Sequence, residues 1–264
     1  MRNVNFIQDK KGKEPIVMLT AYSAPTAMAC EENGVDIILV GDSLAMTFLG
    51  RPSTIPISVD EMLLFVSAVR QGAQESFVVA DMPFGSYGVL AEESVKNAIR
   101  FLQQGRANAV KLEGANPKII DDVKAMRDIG IEVMGHIGLT PQSLVNRSGF
   151  KVQGRDDASQ DALLEEAVRL QEAGCFSLVL ECVPEQLGRR ISEQLAIPVI
   201  GIGAGRYTDG QVLVFDDVVG AFDKFRPKFV KSYSDVWQAY NSAVSQYVEE
   251  VRQGNFPKEE NIYE

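Results

Sequence analysis

The sequence predicts an α/β protein: one (β/α)8 (TIM) barrel domain over residues 1–264, with extra C-terminal helices. Short apolar runs alternate with stretches of helical period, without a linker-like break between them. Several runs stop at an acid, and acids that end successive buried strands converge at the mouth of such a barrel. The 264 residues also suit a single barrel, which takes about 250. A doubly wound open sheet is the alternative.

The predicted strands are seven runs rich in Val and Ile, followed by a weaker eighth. They lack strict polar alternation, which is typical of parallel strands that are buried on both faces. The runs are 16–22, 36–42, 77–83, 108–114, 131–137, 176–182, 197–203 and the weaker 211–217.

The segments between these runs carry helical periodicity. Residues 91–105 and 158–174 are two examples, and each ends in a glycine suited to a helix C-cap. Residues 139–159 have no clear period and are predicted to form a lid or interface loop. Residues 234–264 are predicted to be a helical extension of the same domain.

Composition restricts the partners and the compartment. With 26 basic and 36 acidic residues the formal charge is −10, which disfavours nucleic acid and anionic membrane surfaces. No segment reaches the roughly 20 apolar residues of a membrane span, and the N-terminus does not read as a secretory signal. Cys30, Cys175 and Cys182 lack zinc-site spacing, so we expect reduced thiols in a cytoplasmic protein.

Four acids follow apolar runs: Asp42, Asp81, Glu113 and Glu181. A single acid in this position is equally well explained as a helix N-cap or a turn residue. Four at equivalent places favour a shared site. Three of them, Asp42, Asp81 and Glu113, provide hard oxygen donors. With no cysteine nearby and one histidine in the chain, these donors predict Mg²⁺ or Mn²⁺ rather than zinc.

Two further residues are candidates for the same mouth. Lys111 lies two residues before Glu113, so both side chains face the barrel interior. This arrangement suits an anionic substrate that bridges cation and metal, and it suits a buried ion pair equally well. His136, at the end of the fifth run, is either an active-site residue or a hydrogen-bonded structural one. The glycine-rich segment 201–210 is either an anion-binding turn or simply a tight turn.

The chain resembles the ketopantoate hydroxymethyltransferase family from about Thr20 to Tyr233. Motifs of several residues occur in the family's order and spacing: VGDSLAM, VVADMPFGSY, AVKLEG, GHIGLTPQS, GFKVQGR, LVLECVP, IPVIGIGAG and PKFVK. Ala45 stands where this family usually has glycine, and Ser23 where it has aspartate.

The resemblance implies a barrel similar to those of phosphoenolpyruvate-utilising enzymes. It implies a Mg²⁺-dependent enzyme of pantothenate biosynthesis that transfers a hydroxymethyl group from 5,10-methylenetetrahydrofolate to 3-methyl-2-oxobutanoate, giving 2-dehydropantoate. It also implies small-molecule substrates and a large homo-oligomer, typically a decamer.

Residue by residue, the resemblance assigns Asp42 and Asp81 to the metal, with Glu113 completing the site directly or through water. Glu181 matches the family's proton acceptor. The keto acid would be held by a set of polar side chains at the mouth: Asp42, Ser43, Asp81, Lys111 and His136.

Two alternatives remain from the residues. A Mg²⁺-dependent carbon–carbon lyase or phosphonate mutase on the same kind of barrel also binds a 2-oxo acid, but its cysteine-containing loop, such as KKCGH, has no match here. A non-catalytic keto-acid-binding barrel belongs to a different class. The joint presence of Lys111, Glu181 and the acids of the predicted metal site favours an enzyme.

Overall fold

The computed structural model describes residues 2–142, 151–221 and 227–263. Two compact units divide the chain, Met1–Val214 and Phe215–Glu264. Residues 143–150 of the predicted lid segment lie outside the described residues. The assignment of the whole chain to a single domain stays a prediction.

Eight parallel strands close into a barrel, in which each strand pairs with the next along the chain and β8 pairs with β1. This confirms the predicted fold class and excludes the open sheet. The strands are β1 Ile16–Thr20, β2 Ile37–Val40, β3 Phe77–Asp81, β4 Ala109–Glu113, β5 Glu132–Gly138, β6 Ser177–Glu181, β7 Val199–Ile202 and β8 Gly210–Leu213.

Helices alternate with most of these strands. In the first unit they are α1 Val4–Gln8, α2 Ala24–Glu32, α3 Leu44–Thr47, α4 Val59–Gly72, α5 Ala91–Gln103, α6 Pro117–Asp128, α7 Asp157–Ala173 and α8 Glu185–Gln194. In the second unit they are α9 Phe215–Val219 and α10 Val236–Gln253, followed by a short 3-10 turn at Glu259–Asn261.

Local sequence explains where the prediction succeeded and where it did not. Gly174 ends α7 with φ of 103°, the left-handed conformation expected of a C-cap glycine. The cap of α5 is instead Gln104. Gly105 is required by packing, since a Cβ there would lie 2.8 Å from the carbonyl oxygen of Phe101. The second half of the weak eighth run is helical, because α9 begins at Phe215 with two acids in its first turn.

The strands alternate between an interior face and a face covered by helices. Along β3, Phe77 and Val79 belong to the buried interior cluster, and Asp81 continues the same face. On β4, Ala109 lies in this cluster and Lys111 follows two residues later. The interior is therefore apolar along most of its depth and becomes charged at the C-terminal ends of the strands.

The other end of the barrel is covered by α1. Ile7 is 0% exposed and joins the interior cluster. Arg2 donates from Nη1 to the carbonyl oxygen of Val35 at 2.6 Å, and Lys10 forms an ion pair of 2.9 Å with Asp36. Both partners come directly before β2, so α1 lies across the N-terminal ends of the strands.

The second unit carries an exposed apolar stripe. The helix α10 begins after Asp235, whose side chain caps the amide of Gln238, and it ends at Gly254. Its exposed large apolar residues recur at alternating steps of three and four, which places them on one helix face. They are Trp237, Tyr240, Val244, Tyr247 and Val251. Within the described part of the chain, no helix combines the length and apolar character that a membrane crossing requires.

Candidate active site

The structure brings the predicted site residues together at the C-terminal ends of the strands. Strands β3 to β6 supply five of them, and the turn between β2 and α3 supplies two. They are Asp81 on β3, Lys111 and Glu113 on β4, His136 on β5, Glu181 on β6, and Asp42 and Ser43 in the turn. All are buried except Glu181 and Ser43, which are partly exposed. The chemical roles of these residues stay predictions.

The turn after β2 is shaped by Gly41. A Cβ at this position would lie 2.9 Å from Ser43 Oγ, so a larger residue would displace that hydroxyl, whereas Asp81 Oδ2 at 3.5 Å would be in ordinary contact. The next residue, Asp42, donates its backbone amide to Asp81 Oδ2 at 3.0 Å. The hydroxyl of Ser43 lies 2.8 Å from that of Tyr22. The turn thus places a carboxylate and a hydroxyl next to the end of β3.

Lys111 is the cation at the centre of the site. Its Nζ lies 3.0 Å from Asp81 Oδ1, 4.0 Å from Glu113 Oε1 and 3.1 Å from His136 Nδ1. Burial alone would lower the pKa of Lys111, but Asp81, Glu113 and Asp42 more than offset it and raise that pKa above its usual value. Lys111 therefore carries a fixed positive charge. Lys111 and Asp81 thus form a buried ion pair. The same ammonium also lies beside the predicted metal ligands.

His136 connects the two sides of the mouth. Nδ1 lies 3.4 Å from Glu113 Oε1, and Nε2 lies 3.2 Å from Glu181 Oε2. Burial and the charge of Lys111 oppose protonation, but Glu113 and Glu181 outweigh them and raise the pKa of His136 to about 9. Each ring nitrogen faces one carboxylate, and Nδ1 also faces the Lys111 ammonium.

The carboxylates are crowded. Burial, followed by the charges of Asp81 and Glu113, raises the pKa of Asp42 to about 8. Burial also raises the pKa of Asp81, against the opposing effect of Lys111. For Glu113, burial is outweighed by His136 and Lys111, and its pKa falls. A further cation beside Asp42 and Asp81 would relieve this repulsion.

The donor set fits a hard metal ion that keeps ligands of its own. No group of three or more His, Cys, Asp or Glu side chains among the described residues has the geometry to hold a metal unaided. Mg²⁺ typically takes only one or two carboxylates together with water and substrate oxygens. Asp42 and Asp81 offer such a pair, and Asp81 Oδ1, which is ion-paired with Lys111 at 3.0 Å, has no well-aligned hydrogen bond in the described structure. The residues therefore fit an open Mg²⁺ site rather than a closed cage.

Sequence reasoning missed two residues, Gln142 and Tyr87. The Gln142 amide donates from Nε2 to Asp42 Oδ2 at 2.9 Å and to the carbonyl oxygen of Met82 at 3.0 Å. Its backbone amide donates to Glu113 Oε2 at 3.1 Å. The Tyr87 hydroxyl donates to Gln142 Oε1 at 2.7 Å and accepts from the Glu113 amide at 3.0 Å. Both residues occur in motifs quoted above, but neither carries a charge that would single it out.

Two other candidates have simpler explanations. Cys182 follows Glu181 with φ of 51°, and burial, followed by the charge of Glu181, raises its pKa to about 12, so it does not supply a thiolate nucleophile. In the segment 201–210, a Cβ on Gly205 would lie 2.5 Å from Cγ of Glu185. The close approach to α8 accounts for that glycine, and we assign no anion site there.

A closed parallel barrel with acids, a lysine and a histidine buried together at the C-terminal ends of its strands defines an enzyme of the (β/α)8 class. The family model described as ketopantoate hydroxymethyltransferase matches residues 1–259. The chain belongs to this family, and it is a hydroxymethyl transferase.

Curated relatives agree with this assignment over nearly the whole chain. The 3-methyl-2-oxobutanoate hydroxymethyltransferase of Thermosipho africanus is 52% identical over 254 residues, covering 96% of this chain and 95% of the relative. The enzyme of the same name from Bacillus cereus (strain AH187) is 49% identical over 259 residues, covering 98% and 93%. The predicted family and activity are confirmed.

Solved structures show the same fold at much lower identity. Phosphoenolpyruvate phosphomutase from Streptomyces platensis subsp. rosaceus has a TM-score of 0.62 at 15% identity, covering 100% of this chain and 92% of that one. A phosphonopyruvate hydrolase in complex with oxalate and Mg²⁺ has a TM-score of 0.63 at 11% identity, with coverage of 100% and 92%. These similarities concern the barrel alone, so they do not favour the lyase or mutase alternative.

Proposed function

We propose that this chain uses Mg²⁺ and 5,10-methylenetetrahydrofolate to convert 3-methyl-2-oxobutanoate to 2-dehydropantoate. The observation that carries the proposal is the buried cluster in which Asp42 and Asp81 adjoin Lys111, with Glu181 beyond His136 at the mouth. The reaction requires loss of a weakly acidic proton from C3 of the keto acid and stabilisation of the charge that remains.

The keto acid is held by fixed charges and hydroxyl groups of the chain. The ammonium of Lys111, beside Asp81, binds the substrate carboxylate. The Ser43 hydroxyl, 2.8 Å from that of Tyr22, contributes a further polar contact to the keto acid. Asp42 and Asp81 would hold Mg²⁺, which would supply electrophilic stabilisation of negative charge at the keto oxygen. Burial of these groups strengthens each electrostatic interaction, since water is excluded.

Glu181 is the base that takes the C3 proton. Its side chain is 14% exposed, so it remains accessible from the mouth while the other acids are buried. The Nε2 atom of His136 lies 3.2 Å from Glu181 Oε2 and faces this carboxylate. Carbon C3 then forms a bond to the methylene carbon of the folate, whose two C–N bonds break, one as that carbon becomes electrophilic and the other as water supplies the hydroxyl group. Tetrahydrofolate leaves with two protons on its nitrogens, one from C3 by way of Glu181 and one from the water.

Hydrogen exchange at C3 tests the base separately from folate chemistry. With Mg²⁺ and 3-methyl-2-oxobutanoate in D₂O, the wild-type protein should exchange the C3 hydrogen without folate, as followed by proton NMR. The Glu181→Gln variant should slow exchange by about 10²- to 10⁴-fold, the usual cost of losing a general base. Glu193→Gln, an exposed change on α8, is the matched control. Wild-type exchange in Glu181→Gln would assign the proton transfer to another group, with His136 the first to test.

A separate experiment tests the proposed Mg²⁺ site. The Asp81→Asn variant should weaken the binding of Mg²⁺ and of keto acid together, because the substrate completes the coordination. Isothermal titration measures both affinities. Full turnover after removal of all divalent ions, or restoration by zinc alone, would contradict the assignment. Cleavage of the keto acid without folate would instead indicate a lyase.

We also propose that the chain works as a homo-oligomer in the cytoplasm, with a decamer as the family expectation. Each unit has exposed apolar surface of its own: the stripe along α10, and Val17, which is 51% exposed although it lies within β1. A contiguous apolar stripe such as that on α10 is typical of a surface that contacts another chain. The three free cysteines suit a reducing compartment. Light scattering should give a mass that is a multiple of 29.0 kDa, and a monomer would contradict the proposal.

A further inference from the structure

We propose that Gln142 is a positioning residue that sets the carboxylates of Asp42 and Glu113 for the metal and the keto acid. This inference rests on the function proposed above. Gln142 is 4% exposed and lies just beyond the end of β5. Both acids that it contacts, Asp42 and Glu113, come earlier in the sequence. Through its side chain and backbone it contacts the turn after β2, the residue after β3, and the last residue of β4.

The orientation of the Gln142 amide follows from its partners. The carbonyl oxygen of Met82 can only accept a hydrogen bond, so Nε2 faces it, and the second hydrogen of the same group is donated to Asp42 Oδ2. The Tyr87 hydroxyl already accepts from the amide of Glu113, which leaves its proton for Gln142 Oε1. Both polar atoms of the Gln142 side chain therefore have hydrogen-bond partners, with Nε2 as the donor and Oε1 as the acceptor.

The chemistry of an amide suits this position. Gln142 donates to one oxygen of Asp42 and, through its backbone, to one oxygen of Glu113. It holds each carboxylate without placing a positive charge where a divalent cation would bind. A lysine or arginine here would compete with the metal, and an apolar residue would leave a buried carboxylate oxygen unsatisfied. Partners that orient metal-binding side chains typically contribute 10- to 100-fold to metal affinity.

Tyr87 extends the same arrangement. Its buried hydroxyl joins the Gln142 side chain to the backbone of Glu113, so the end of β4 is held at both its amide and its carboxylate. Removing that hydroxyl loosens Gln142 without removing the amide. The Tyr87→Phe variant thus changes the network while keeping the contacts of Gln142 to Asp42.

The decisive variant is Gln142→Met, which keeps length and volume but loses both side-chain donors. Isothermal titration with Mg²⁺, first alone and then with 3-methyl-2-oxobutanoate present, measures the effect. We expect the Mg²⁺ affinity to fall about 10- to 100-fold in Gln142→Met and by a smaller factor in Tyr87→Phe. At saturating Mg²⁺ the rate should return to within a few fold of wild type. Gln211→Met, which removes an exposed amide on β8, is the matched control and should leave affinity unchanged.

The outcomes separate this inference from the proposed function. Unchanged Mg²⁺ affinity in a folded Gln142→Met protein, even one of lower Tm, would overturn the positioning role and leave the function intact. Absence of Mg²⁺-dependent keto acid binding in the wild-type protein would instead refute the proposed function. If Gln142→Met does not fold, Tyr87→Phe decides: a wild-type Mg²⁺ affinity in that variant overturns the inference.

Discussion

Replacing Lys111 by methionine removes the positive charge at the centre of the site while keeping most of the side-chain volume. Lys111 is 4% exposed, and its Nζ lies 3.0 Å from Asp81. Breaking a buried pair by removing one partner typically costs about 3–5 kcal/mol, because the remaining charge is left uncompensated. At about 2–4 °C per kcal/mol, Tm should fall on the order of 6–20 °C in metal-free protein.

The size of this loss depends on pH. Burial and neighbouring acids raise the pKa of Asp42 to about 8 in the folded chain, from an unfolded value of 3.8. A raised carboxyl pKa means that folding is favoured by the protonated acid, and this contribution is lost as pH rises through about 8. Without the positive charge of Lys111 the pKa of Asp42 rises further, and ionisation of Asp42 destabilises the folded chain more. The difference in Tm between wild type and Lys111→Met should therefore be larger at pH 9 than at pH 6.

Kinetics separate the two roles of Lys111. A hydrogen bond to a charged group contributes about 1.5–3 kcal/mol, so kcat/KM for the keto acid should fall roughly 10- to 150-fold. Scanning calorimetry and initial rates at saturating Mg²⁺ measure both effects. Lys96→Met, which removes an exposed partner of Glu92, is the control. Wild-type kinetics with lowered Tm would establish a purely structural ion pair, and an unchanged Tm would refute the electrostatic reasoning.

Three further predictions concern other parts of the barrel. In Gly138→Ala a Cβ would lie 2.2 Å from the carbonyl oxygen of Glu181 at φ of 93°, so Tm and the C3 exchange rate should both fall; unchanged exchange would contradict this. Ile7→Ala should cost about 2–5 kcal/mol in denaturant unfolding and leave KM unchanged, because α1 lies at the far end of the barrel. Burial raises the pKa of Cys30 to about 11 and of Cys175 to about 12, so neither should react with a disulfide reagent at pH 8 until the chain unfolds. Rapid reaction of both in native protein would contradict their burial.

The fold and much of the site follow from patterns that are local in sequence. A strand places alternate residues on one face, so Lys111 and Glu113 were predicted to share the interior face, and the strand-end acids Asp81 and Glu181 to converge at the mouth. Their proximity follows from the closure of the barrel. Asp42 differs slightly, since β2 ends at Val40 and this acid lies in the turn beyond it.

The remaining part of the site depends on contacts between distant positions. The side chains of Gln142 and Asp42 are hydrogen-bonded although they are 100 residues apart. Tyr87 reaches the amide of Glu113 across 26 residues. Uncharged residues in loops have no periodicity that would distinguish them from turn residues, so only the three-dimensional structure identifies their partners.

The position of α1 has a consequence for how the two ends of the barrel tolerate change. Ile7 packs into the interior cluster, and Arg2 and Lys10 bind the residues directly before β2, so substitutions at the N-terminal ends of the strands act on the core. The charged groups lie at the opposite ends of the strands, where Lys111 pairs with Asp81 and Glu181 is the most exposed of the four acids. Stability and chemistry therefore depend on different ends of the same strands, and each end can vary in sequence without direct contact with the other.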